Sequence, residues 1–127
     1  MLNHFAILSS IAELERALEG SAVRPLVIFK HSPTCGISAQ AFEAISEWLA
    51  KGPQDADFFV VPVRTSRELS TTLAQRFGIR HESPQALVID QGKVVWHGSH
   101  YRATPTAIST ALDQLVAATS VLESPSR

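Results

Sequence analysis

Cysteine is scarce in this sequence: Cys35 is its only thiol, so no disulfide can close within one chain. That scarcity excludes a structural disulfide framework and is typical of proteins that work in a reducing compartment. A redox cycle at Cys35 therefore needs a sulfur atom from another molecule.

The chain also lacks an excess of either charge, because its 127 residues include 11 basic and 12 acidic side chains and carry a formal net charge of -1. Without a broad cationic field, neither nucleic acid nor an anionic membrane is expected as a main partner. No apolar run approaches the roughly 20 residues of a transmembrane helix, and the first residues do not resemble a secretory signal. We interpret the sequence as that of a soluble cytoplasmic protein.

What the chain does contain is enough apolar sequence, 45% of its residues, to bury one core. We expect a single domain over residues 1–122 and a flexible tail over 123–127. Apolar periodicity predicts helices over about residues 10–19, 35–50, 66–77 and 104–122, and strands over 5–8, 25–29, 58–63, 85–89 and 94–97. The order β-α-β-α-β-α-β-β-α predicts an α/β fold with a mixed central sheet and helices on both faces.

Several residues are expected to limit these elements. Gly20 should stop the first helix, Thr34 should be the N-cap of the second, and residues 51–53 should end the second. Pro62 is expected at the end of its strand, because proline cannot donate to a ladder. Gly78 is expected to follow the third helix as its C-cap residue.

Cys35 lies at the junction between a predicted strand and a predicted helix. A thiol at that junction lies at the positive end of a helix dipole, which favours the reactive thiolate. The alternative is a buried free cysteine that acts only as a small apolar side chain. Two observations favour the reactive thiol. Residues 30–34 beside it are mostly polar, and the Ser83-Pro84 pair stands before a predicted strand that proline would join poorly.

Several short motifs together resemble the YtxJ-type monothiol bacilliredoxins of the thioredoxin-like superfamily. They occur in the family's order and are Phe29-Lys30-His31-Ser32, Thr34-Cys35, Ile37-Ser38, His81-Glu82-Ser83-Pro84-Gln85, Val94-Val95-Trp96-His97 and Ser99-His100. The resemblance covers most of the chain and implies a thioredoxin-like fold.

The resemblance also implies a reaction, in which Cys35 removes bacillithiol from a mixed disulfide on another protein and carries it as an adduct. A second thiol, from bacillithiol or from another redoxin or reductase, then resolves the adduct. Bacillithiol is accordingly expected as a co-substrate, bacillithiolated proteins are expected as partners, and no tightly bound cofactor or metal is expected.

Five residues, among them Gly36, are expected to form the environment of the thiolate at Cys35. Ser38 stands where dithiol redoxins carry a resolving cysteine; its hydroxyl cannot resolve a disulfide but can hydrogen-bond a thiolate. Thr34 is expected to make a similar bond while it caps the helix. Lys30 and His31 are expected to add positive potential, with solvated positions at a strand end as the alternative.

A second group of residues is expected to bind substrate. The resemblance implies a cis Ser83-Pro84 bond beside Cys35, with the backbone N–H and C=O of Ser83 exposed to pair with an extended substrate. His81 and Glu82 precede that bond and are expected on the substrate side, with an ordinary exposed loop as the alternative.

Gly36 departs from the family pattern, which usually has proline directly after the cysteine. Glycine is expected to loosen the first helical turn and change the reactivity of the thiol. It also makes residues 35–38 similar to the CGFS motif of monothiol glutaredoxins, some of which hold an iron–sulfur cluster. Two alternative functions therefore remain. One is an iron–sulfur cluster-binding module shared between two chains, although the sequence lacks the Gly-Gly-x-Asp run of such glutaredoxins. The other is a redox sensor without turnover.

Overall fold

The computed structural model describes residues 5–52 and 54–123. The strands are β1 (Ala6–Ile7), β2 (Leu26–His31), β3 (Asp57–Pro62), β4 (Gln85–Asp90) and β5 (Lys93–Ser99), and the helices are α1 (Ile11–Gly20), α2 (Gly36–Lys51), α3 (Arg67–Phe77) and α4 (Pro105–Glu123). A short 3₁₀ turn, His100–Arg102, joins β5 to α4. The predicted α/β order is confirmed. None of the helices in the described ranges is long and apolar enough to span a bilayer.

The five strands form one mixed sheet in the order β1-β3-β2-β4-β5. Strands β1 and β2 run parallel to β3, whereas β4 is antiparallel to both β2 and β5. At the carboxyl end of β2, His31 pairs with Pro62 and Lys30 pairs with Gln85. The segments that follow β2 and β3 and the segment that precedes β4 therefore meet at one edge of the sheet.

Both faces of the sheet are covered, which explains the continuous apolar runs of its central strands. Val27 and Phe29 pack in a cluster with α2 and α4, whereas Leu26 and Ile28 pack in a second cluster with α1 and α3. Alternation along β2 separates the two clusters, because successive side chains of a strand point to opposite faces.

The structure corrects three predicted boundaries. Strand β2 does not end at Phe29 but continues through Lys30 and His31, because both residues pair with β3. Helix α1 includes Gly20 and has Ser21 as its C-cap. Cys35, not Thr34, is the N-cap residue of α2, since the Thr34 hydroxyl instead accepts a hydrogen bond from a distant arginine.

Other predicted limits are confirmed, including the position of Pro62 at the end of β3 and that of Gly78 directly after α3. The predicted role of Pro53 and the predicted tail over 124–127 lie outside the described residues.

Gly78 provides a test of backbone strain at a helix end. Its φ of 65° lies in the left-handed region, and nothing lies within 4 Å of an added Cβ. We expect Gly78→Ala to lower the free energy of unfolding by about 1 kcal/mol, because a Cβ disfavours this conformation. Urea denaturation of the variant and wild type measures the loss.

Gly52→Ala is the matched control for that variant, because Gly52 also has open space around an added Cβ but has an extended φ of 178°. Its free energy of unfolding should stay within about 0.5 kcal/mol of wild type. Equal losses in the two variants would contradict the strain argument.

Candidate active site

Cys35 lies at the sheet edge where β2, β3 and β4 meet, as the N-cap residue of α2. Its backbone is extended, with φ of -101° and ψ of 123°, and no side chain caps the helix. The Cys35 N–H donates to the Ser32 carbonyl over 3.1 Å, and the Cys35 carbonyl accepts from the Ala39 N–H over 2.9 Å. The partly exposed thiol is thus carried by a residue at the positive end of a 16-residue helix.

The Ser83-Pro84 peptide bond is cis, as the resemblance predicts. Pro84 directly precedes Gln85, the β4 partner of Lys30, and its carbonyl accepts a hydrogen bond from the His100 N–H over 2.8 Å. Neither backbone group of Ser83 forms a backbone hydrogen bond with another residue of the described ranges. An extended substrate can use such groups by adding a short strand.

A buried hydroxyl closes the loop between β2 and α2. Ser38 is fully buried, and its Oγ accepts from the Ser32 N–H at 2.9 Å and lies 2.8 Å from His31 Nδ1. A hydroxyl can accept two hydrogen bonds and donate one, and which partner donates in the His31–Ser38 bond depends on the tautomer of the imidazole. The Ser38 hydroxyl therefore positions the loop before Cys35, and its hydrogen bond to a thiolate stays a prediction.

His31 points into the aromatic cluster on the α2 side of the sheet. Its ring stacks on Phe42 with centroids 4.5 Å apart and planes 12° apart. Burial lowers the pKa of His31 below 6.5, so the imidazole is mainly neutral at pH 7. Desolvation disfavours the imidazolium, and the expected contribution of His31 to the positive potential stays a prediction.

Lys30 points to the opposite face and is only 1% exposed. Its Nζ lies 3.4 Å from His81 Nδ1, which unites two predicted site residues that are far apart in sequence. Desolvation lowers the pKa of Lys30 to about 8, so at pH 7 the ammonium is still mostly charged. Partial burial and then the charge of Lys30 lower the pKa of His81, consistent with a neutral imidazole that accepts from Nζ.

Glu82 belongs to a different part of this edge. The pKa of Glu82 is lowered, chiefly by the nearby Ser99 hydroxyl, and His100 and Arg80 act in the same direction. Glu82 therefore interacts with the end of β5. Within the ranges 5–52 and 54–123, no group of three or more histidine, cysteine, aspartate or glutamate side chains is arranged to hold a metal ion.

Arg64 is a site residue that the sequence analysis missed. Its Nη1 donates to Thr34 Oγ1 over 3.2 Å, so it contacts the neighbour of the thiol. The position of Arg64 shortly after β3 could have predicted this contact. Parallel strands such as β2 and β3 bring their carboxyl ends, and the residues that follow them, to the same edge of the sheet.

A family model described as monothiol bacilliredoxin BrxC matches residues 6–108. The chain belongs to the monothiol bacilliredoxin BrxC family. The match confirms the family resemblance, and it spans Cys35, the cis bond at Pro84 and every other predicted site residue.

Solved structures show the same fold. The structure of a proposed oxidoreductase with a thioredoxin fold is 32% identical, with a TM-score of 0.74, over 83% of this chain and 90% of that one. Fasciola hepatica thioredoxin is 23% identical, with a TM-score of 0.69, over 87% and 98%, and Trypanosoma brucei brucei thioredoxin is 12% identical, with a TM-score of 0.73, over 92% and 95%. The two thioredoxins show the fold alone. Fold and family together identify a thiol–disulfide oxidoreductase.

The buried charge of Lys30 gives a test by pH. The folded protein binds fewer protons than the unfolded chain between pH 8 and 10.5, so stability should rise with pH across that window. At pH 7, where both states are protonated, Lys30→Met should raise the free energy of unfolding by up to ~3 kcal/mol, taking 1.36 kcal/mol per pKa unit. The gain should shrink from pH 8 to 10.5, as measured by urea denaturation.

Lys93→Met is the control for that substitution, because Lys93 is exposed at the start of β5. It should change stability by less than about 0.5 kcal/mol. A Lys30→Met gain that is the same at pH 7 and pH 10.5 would show that packing, not charge burial, causes it.

Gly36 allows proline to be tested at the first helical position of α2. Gly36 is the first helical residue, nothing lies within 4 Å of an added Cβ, and the extended backbone of Cys35 suits a residue before proline. Gly36→Pro should raise the free energy of unfolding by about 0.4–1 kcal/mol. Ala39→Pro should instead lower it by about 3 kcal/mol, because it removes the bond to the Cys35 carbonyl. Thermal and urea unfolding compare the variants, and a destabilised Gly36→Pro protein would contradict this account.

Proposed function

We propose that this protein acts in the cytoplasm as a monothiol oxidoreductase that removes bacillithiol from mixed disulfides on other proteins. The observation that carries the proposal is one partly exposed thiol at the start of α2, in a chain with no second cysteine. Membership of the BrxC family supports bacillithiol as the thiol that is removed.

In the first step the Cys35 thiolate attacks the bacillithiol sulfur of the target's mixed disulfide. The bond between the target sulfur and bacillithiol breaks, a bond between Cys35 Sγ and bacillithiol forms, and the target leaves as a thiolate that takes up a proton. No electrons are gained or lost overall, since one disulfide replaces another.

In the second step an external thiol resolves the adduct. A molecule of bacillithiol attacks the bacillithiol sulfur on Cys35, so that bacillithiol disulfide forms and the Cys35 thiolate is released. Another redoxin or a reductase takes the same place if it supplies the attacking thiol. Bacillithiol therefore acts as a co-substrate, and the cycle needs no tightly bound cofactor.

The surrounding residues have distinct roles in this proposal. The unpaired backbone groups of Ser83 bind the extended segment next to the mixed disulfide. The hydroxyl of Ser38 holds the Ser32 N–H and the His31 ring, which fixes the loop that presents the thiol. Lys30, through its charge, supplies positive potential on the other face of the sheet.

The test uses a bacillithiolated target protein, substoichiometric amounts of this protein and excess bacillithiol. Intact mass spectrometry should show wild type removing the adduct with multiple turnovers, whereas Cys35→Ser should remove none above the uncatalysed rate. Equal removal by both proteins, or by neither, would contradict the proposal.

Two further readings complete the experiment. The same target carrying glutathione serves as the matched substrate and should be restored more slowly if bacillithiol is the selected thiol. A Cys35 adduct that forms once, without further turnover in excess bacillithiol, would identify a redox sensor instead of a catalyst.

A further inference from the structure

A cavity of about 510 Å³ lies along the first turns of α3, with Arg64, Arg67, Ser70 and His81 among its lining residues. Its volume is in the range that binds small molecules. Three of these side chains carry cationic or titratable nitrogen, and the wall contains no acidic side chain. Glu68, in the first turn of α3, and Glu82, next to His81, are not part of the lining.

The cavity contains a buried polar group without a partner. Ser70 is 5% exposed, and within the described residues its Oγ has no hydrogen-bond partner. Only the backbone N–H of Ser70 is paired, because it donates to the Ser66 carbonyl. A buried hydroxyl that is left unpaired costs free energy. Because Ser70 is a lining residue, a ligand oxygen in the cavity could supply the missing partner.

The positive groups at this cavity are available to an anion. Within the described ranges neither Arg64 nor Arg67 forms an ion pair, since the ion pairs there involve Arg24 and Arg76. No side chain caps the N-terminus of α3, where Arg67 is the first helical residue, so the positive end of this helix dipole also favours an anion.

One lining residue of the cavity contacts the residue that precedes the thiol. Arg64, in its wall, donates to Thr34, which precedes Cys35. Another lining residue, His81, lies with its Nδ1 3.4 Å from the Nζ of buried Lys30. The Arg64–Thr34 contact therefore places a cationic lining residue near a molecule bound by sulfur at Cys35.

We propose that this cavity binds the carboxylate end of the low-molecular-weight thiol whose sulfur reacts with Cys35. A carboxylate accepts two parallel hydrogen bonds from a guanidinium group, here Arg67, and one from the Ser70 hydroxyl. The volume of about 510 Å³ is sufficient for the carboxylate end of a small thiol. The identity of the thiol rests on the proposed function, whereas the anion site does not.

The first experiment tests the anion site without any redox step. Amide chemical shifts of reduced wild type are followed during titration with succinate, and separately with uncharged succinamide. Succinate should shift the signals of residues around Arg67 and Ser70, and succinamide should not. Arg67→Gln should weaken succinate binding roughly fivefold or more.

Arg16→Gln is the matched control, because it removes the same charge from an exposed position on α1 and should leave succinate binding within about twofold of wild type. Equal binding of succinate and succinamide, or equal weakening by the Arg16 and Arg67 substitutions, would overturn the anion site.

The second experiment tests the ligand. The rate of Cys35 adduct formation is measured against the concentration of oxidised bacillithiol, and Arg67→Gln should raise the concentration that gives half the maximal rate. With neutral 4,4′-dithiodipyridine, the Arg67→Gln protein should react at the same rate as wild type. Equal slowing with both disulfides would show an effect on the thiol itself and overturn the proposal.

In a second outcome, Arg67→Gln binds succinate weakly and yet shows the same dependence on oxidised bacillithiol concentration as wild type. That result would assign the cavity to another anion, such as an acidic side chain of the target, and overturn the ligand assignment. Failure of the proposed function gives a different result, because bacillithiolated target protein would then persist whether or not succinate binds.

Discussion

The pairing of β2 with a strand on each side is the constraint on which the site depends. Because β2 is held by β3 and β4 up to its last residues, the chain leaves the sheet at a fixed point just after His31. The parallel strand β3 ends at the same level, and the cis bond at Pro84 precedes the antiparallel strand β4. One sheet edge thus collects the thiol of Cys35, the free backbone of Ser83 and the start of α3.

Hydrogen bonds then fix the loop that leaves this edge. The Ser38 hydroxyl comes from the first turn of α2 and returns to Ser32 and His31, so the helix and strand are joined on both sides of Cys35. One hydroxyl can serve both partners, because its oxygen has two lone pairs as well as a hydrogen to donate. A redoxin that lacks a second cysteine can therefore use the equivalent position as a structural support.

Local sequence patterns were sufficient for the element order, the hairpin, the C-cap at Gly78 and the cis bond, because each has a signal within a few residues or within a family motif. They failed where tertiary contacts decide. The continuation of β2 depends on pairing with β3, and the bond that diverts Thr34 from capping depends on Arg64, thirty residues away. The burial of Lys30 was also missed, because a lysine after an apolar run is normally solvated.

The opposite orientations of Lys30 and His31 divide the approach to the thiol into two chemical compartments. Lys30 borders the cationic region near α3, whereas His31 is part of an aromatic layer under α2. Since neighbouring strand residues cannot share a face, a mutation on the Lys30 side leaves the packing around the thiol loop on the His31 side in place. Under the proposed function, selectivity for the small thiol and integrity of the nucleophile are therefore separable properties of this fold.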